Sequence, residues 1–76
     1  MNREFEAGAE MARLRKEKKL TQAELAQNLG ISQRMVAACE AGDRRPSPEL
    51  ARKIEMELGL PWTRFFAEGK RMESEG

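Results

Sequence analysis

Apolar residues recur every three or four positions along most of the chain, and no stretch alternates apolar and polar residues in the two-residue period of a strand. Met11 and Leu14 mark the inner stripe of a first helix running from about Ala7 to Lys18. Lys19 and Leu20 lead to Thr21, whose hydroxyl can cap a second helix while Glu24, three residues on, reaches back to complete a capping box. That second helix carries Leu25, Ala26 and Leu29 on one face and stops at Gly30, a residue that takes a left-handed backbone without steric cost. Ile31 is expected to turn inward, and Ser32 to cap a third helix with Val36 and Cys39 inside and Gly42 at its end. After the charged loop from Asp43 to Pro46, Ser47 and Pro48 supply a cap followed by a first-turn proline. Leu50, Ile54 and Leu58 then face inward on a fourth helix that ends at Gly59. Pro61 opens a fifth, short helix that brings Trp62, Phe65 and Phe66 against the bundle, with Leu60 beside them. The expected fold is all-α: five helices in one domain over residues 7–67, between an N-terminal tail 1–6 and a flexible tail 68–76.

Helices two and three are separated only by Gly30, Ile31 and Ser32. Two short helices joined so tightly meet at a steep angle, which leaves the second of them projecting. Its solvent face then holds Gln33, Arg34, Ala37 and Ala38, polar or small residues that fit a groove roughly 12 Å wide, the major groove of a duplex.

Charge adds to this picture through its distribution. The formal net charge of the 76 residues is only +1. Yet residues 11–45 hold eight basic side chains against four acidic ones, while both flanks are slightly acidic. A solvated helix face explains such a stretch, and so does a surface turned toward a polyanion. The lone Cys39 cannot form an internal disulfide, so a chain this small, burying only about 60% of its unfolded surface, must rely on helix packing and dimerisation. No run of 18 apolar residues exists and Met1 to Glu10 is acidic, without the apolar segment of a signal peptide; the expectation is a soluble, cytoplasmic protein with no membrane association.

Several elements taken together resemble a known family. They are Met11-x-x-Leu14-Arg15, Leu20-Thr21-Gln22-x-x-Leu25-Ala26, Leu29-Gly30-Ile31-Ser32, Val36-x-x-Cys39-Glu40-x-Gly42, Pro46, and Leu58-Gly59-Leu60-x-x-x-x-Phe65-Phe66. In this order and spacing the chain resembles the lambda-repressor-like, Cro/CI-type or XRE, helix-turn-helix domains over about residues 7–66. The resemblance implies a regulator that binds double-stranded DNA as a homodimer, commonly a repressor on a palindromic operator. It places a DNA phosphate at Thr21 and Gln22, where an amide donor adjoins a helix N-terminus that already favours an anion. Base reading falls on Gln33, whose carboxamide can pair with adenine, and on Arg34, which can take guanine or a phosphate. Ala37 and Ala38 offer apolar contact only, whereas Met35 could touch a thymine methyl or fill a packing gap. Arg15 and Glu40 fall on an ion pair that is structural in relatives. Arg44 and Arg45 fall in a loop that touches the sugar-phosphate backbone there, with a merely solvated loop as the alternative. Trp62 is a candidate dimer contact or a core residue.

Enzymatic chemistry has little to draw on. The chain lacks His and Tyr, has one Cys and no glycine-rich phosphate loop, so neither catalysis, a metal site, a cofactor nor a small-molecule effector is expected. Two other readings stay open: an antitoxin or immunity regulator with a protein partner, and an interaction module that has kept this fold and lost DNA binding.

Overall fold

The computed structural model describes residues 3–66, with side chains from Ala7 onward. Four α-helices follow one another: α1 (Arg3–Glu17), α2 (Gln22–Leu29), α3 (Gln33–Ala41) and α4 (Pro48–Leu58), closed by a 3₁₀ turn over Trp62–Phe65. No strand occurs among the described residues.

Each boundary has a local cause. The Thr21 Oγ1 accepts the Glu24 N–H at 3.0 Å, and the Glu24 carboxylate accepts the Thr21 N–H at 2.9 Å, so α2 starts on a complete capping box. Ser32 Oγ accepts from the Met35 N–H at 3.0 Å, and Ser47 Oγ from the Leu50 N–H at 3.2 Å, starting α3 and α4. Gly30 ends α2 with φ +76°, and the Ile31 N–H returns to the Ala26 carbonyl at 3.0 Å. This left-handed step turns the chain sharply enough for α3 to start three residues later.

The buried stripe joins Met11, Leu25, Ala26, Leu29, Val36, Cys39, Leu50, Ile54, Leu58, Leu60 and Phe65 into one core. Full burial of a large apolar side chain contributes about 1.5–3 kcal/mol, so this cluster supplies the bulk of the driving force. Leu14, Ile31 and Phe66 are only half-buried at its edge, because each sits where a helix or turn leaves the bundle.

Two expectations need correction. Helix α1 begins at Arg3, inside the segment assigned to the tail, because Arg3-Glu4-Phe5-Glu6 contains no helix breaker and is rich in good helix formers. The fifth element is a four-residue 3₁₀ turn, too short between Pro61 and the half-buried Phe66 to develop the α-helical bonding pattern. Residues 68–76, where a flexible tail is expected, lie outside the described residues.

Helix α1 lies unusually close to the end of α3. A Cβ placed on Gly8 would stand 2.5 Å from the Cys39 carbonyl oxygen and 2.6 Å from that of Glu40. Only a glycine permits that approach.

Candidate nucleic-acid interface

Helix α3 owes its prominence to the tight turn before it. Gln33 and Arg34, its first two residues, are exposed, and Ala37 and Ala38 follow one turn later, half-buried. The outer face of α3 is thus two long polar side chains at the N-terminal end and two methyl groups behind them. Met35 is half-buried and packs against the core.

Helix α2 presents its N-terminus nearby. Thr21 and Glu24 satisfy each other, and the Leu25 N–H reaches the Thr21 carbonyl at 3.0 Å. The N–H groups of Gln22 and Ala23 belong to the first turn, where no intrahelical acceptor exists. They lie at the positive end of the helix, beside the half-buried Gln22 side chain.

The Gln22 side chain is not free. Its Nε2 donates to Glu40 Oε1 at 3.0 Å. Glu40 in turn receives Arg15 Nε on Oε2 at 2.7 Å and Arg15 Nη2 on Oε1 at 3.3 Å. The remaining arm of the guanidinium, Nη1, donates to the Leu20 carbonyl at 2.7 Å. Arg15 is 8% exposed and the Glu40 side chain 7%, so the pair is sheltered and its donors and acceptors are matched. One network therefore joins α1, the turn after it, the start of α2 and the end of α3.

Arg44 and Arg45 lie exposed in the loop after α3. The Arg45 guanidinium stands 5.9 Å from the Phe66 ring centre, and the Arg44 N–H shares the Ala38 carbonyl with Asp43. Beneath them is Cys39, whose thiol burial pushes up to about 11, with Arg44 pulling it down and Glu40 adding to the rise. A thiol so held stays neutral and serves as packing.

Trp62 packs half-buried against the core. Its ring meets Phe66 edge-on at 5.7 Å and carries the Arg52 guanidinium at 4.8 Å, while its N–H on the backbone donates to Glu55 Oε1 at 3.2 Å. The neighbouring Arg64 reaches back to α1, its Nη2 lying 2.7 Å from Glu10 Oε1 as an ion pair without hydrogen-bond alignment. Among the described residues no group of three His, Cys, Asp or Glu could hold a metal, and no helix is long and apolar enough to cross a membrane.

Sequence reasoning missed two members of this region. Gly8 was legible only as a glycine inside a helical stretch, which costs about 1 kcal/mol against alanine and so asks for a packing reason. The Gln22 to Glu40 bond spans 18 positions, and no local pattern announces it.

Comparison with known proteins agrees with this architecture. A sequence model of the helix-turn-helix family matches residues 11–65, from the core Met11 of α1 through the buried Phe65. No curated protein and no solved structure matches the chain. With the match covering all of α2, α3 and α4 and most of the chain, the protein belongs to the Cro/CI-type, XRE helix-turn-helix family of DNA-binding regulators.

Proposed function

We propose that the protein is a sequence-specific transcriptional repressor that binds a palindromic operator as a homodimer. One observation carries this reading: Gln33 and Arg34 stand exposed at the projecting end of α3, with the open first turn of α2 and Gln22 beside them. In this reading α3 enters the major groove, Gln33 and Arg34 pair with base edges, and Ala37 and Ala38 lie against thymine methyl groups. Thr21 and Gln22 hold a phosphate on one side of α3; Arg44 and Arg45 hold the backbone on the other. The small side chains at Ala37 and Ala38 concentrate specificity in the two residues before them.

Dimerisation sets two copies of α3 about 34 Å apart, one turn of duplex, which is why the operator is symmetric. The half-buried surface around Trp62 supplies the dimer contact, since it combines an aromatic edge with the Arg52 and Arg64 cations. Bound between two half-sites, the dimer blocks polymerase.

Selection of duplexes from a random pool tests binding, symmetry and spacing together. The expected product is an inverted repeat with half-sites one turn apart; recovery of unenriched sequences would favour the interaction-module reading instead.

A further inference from the structure

We propose that Glu40, clamped by Arg15, sets the direction of the Gln22 carboxamide, so that both charged residues are positioning residues for the phosphate contact as well as a tie between helices. This rests on the reading of Gln22 as a phosphate ligand.

The chemistry of the partners fixes the geometry. A carboxylate only accepts hydrogen bonds, so Gln22 must turn its NH2 end, not its oxygen, toward Glu40. One N–H is committed there and the other remains to donate. An unrestrained glutamine on a helix surface would sample several rotamers and both ends of its amide, and a phosphate would have to select one. Here the selection is made before DNA arrives. The acceptor is itself fixed: Arg15 grips both carboxylate oxygens, and its third contact runs to the Leu20 carbonyl. Leu20 is held in return, since its N–H bonds to the Arg15 carbonyl at 3.1 Å across a turn in which Lys19 takes the left-handed conformation, φ +62°. Two residues later the chain is at Gln22, whose backbone the Thr21 and Glu24 capping box locks. Both ends of the Gln22 residue are therefore anchored, backbone by α2 and side chain by α3.

Electrostatics permits this placement. A bare carboxylate beside a phosphate site would repel the ligand, but Glu40 is paired bidentately with Arg15 and sheltered. What is offered outward is the amide, polarised by a charge-compensated pair.

A pair of double variants tests the proposal. Arg15→Met with Glu40→Leu removes the acceptor while keeping the net charge, and replacement of a sheltered ion pair by apolar residues generally preserves folding, which a thermal melt verifies. Arg15→Met with Glu40→Gln restores a carbonyl oxygen facing Gln22. On the selected operator, the first variant is expected to bind on the order of tenfold more weakly, the loss also expected for Gln22→Ala. Adding Gln22→Ala to it should cost less than about twofold more, because contacting residues are coupled. The second variant should recover most of the affinity. Unchanged binding by the first variant, or a loss that adds in full to that of Gln22→Ala, overturns the proposal.

The free protein gives a second readout. The Gln22 side chain is expected to show the scalar couplings of a single χ1/χ2 rotamer and a cross-relaxation contact from its amide protons to the Glu40 side chain in the native chain, and rotamer-averaged couplings without that contact in the first variant; rotamer averaging in the native chain also overturns the proposal. A native chain with a restrained Gln22 that binds no selected duplex overturns the regulator reading itself, and the phosphate role with it.

Discussion

Gly8 sits where α1 comes nearest to α3, and the atoms it would strike are backbone oxygens that cannot rotate away. Gly8→Ala gains helix propensity of about 1 kcal/mol but forces the helices apart, so a net destabilisation of about 1–3 kcal/mol is expected in denaturant titration. The two glutamines of the interface are expected to fail in different ways. Gln33→Ala should relax the preference at one base position at a cost of about 1–3 kcal/mol, whereas Gln22→Ala should weaken specific and random duplexes alike. Cys39 has a pH consequence. Its thiol is held at about 11 in the folded chain by burial, above its unfolded value of 9.0, so folding favours the protonated form. The associated stability is present in full below pH 9 and is lost as the pH rises toward 11, by an amount on the order of 2 kcal/mol that stability curves across this range would register. The exposed Gln33 and Arg34 were legible because their class and their place after a cap can both be read locally. Gly8 was not, because its reason lies in the carbonyls of residues more than thirty positions away.

At the level of elements, the starts of α2, α3 and α4 were legible because each begins on a hydroxyl side chain whose partner is a backbone N–H three residues on. Ser32→Ala should cost about 1 kcal/mol and, since α3 has only nine residues, should fray the end that carries Gln33. Operator affinity is then expected to fall more than global stability, and amide exchange at Met35 and Val36 would locate the fraying. The stop after α1 carried no such mark. Lys19 occupies a left-handed position usually given to glycine, and Lys19→Gly is expected to raise stability by up to about 1 kcal/mol in a thermal melt. The type of the last element was equally hidden. Pro61 and the aromatic residues announce a turn of helix, but whether it closes as α or 3₁₀ is decided by how Trp62, Phe65 and Phe66 seat on the bundle.

For the whole molecule, a net charge of +1 gives little attraction to DNA, so the binding electrostatics must be local. Lys16, Lys18, Lys19, Arg34, Arg44 and Arg45 are all exposed around the start of α2 and the ends of α3, whereas the acidic Glu49, Glu55 and Glu57 belong to α4. If about six phosphates are neutralised per dimer, log affinity should fall with log salt at a slope near −5. A slope near zero would remove the phosphate contacts from the mechanism. The short turn between α2 and α3 was foreseeable from Gly30 and Ser32; the network that ties these helices to α1 was not, since Arg15, Gln22 and Glu40 meet only after three helices have packed.

Gly8, Met11 and Arg15 lie along one side of α1, spaced two turns from first to last. Gly8 rests on the peptide groups of Cys39 and Glu40, while Arg15 grips the Glu40 carboxylate, so a single helix braces both the main chain and the side chain of the same α3 residue. The aim of α3 is consequently adjusted from behind. A genetic screen for lost DNA binding should return α1 substitutions that leave Gln33 and Arg34 in place, and second-site suppressors of those should fall near the C-terminal turn of α3.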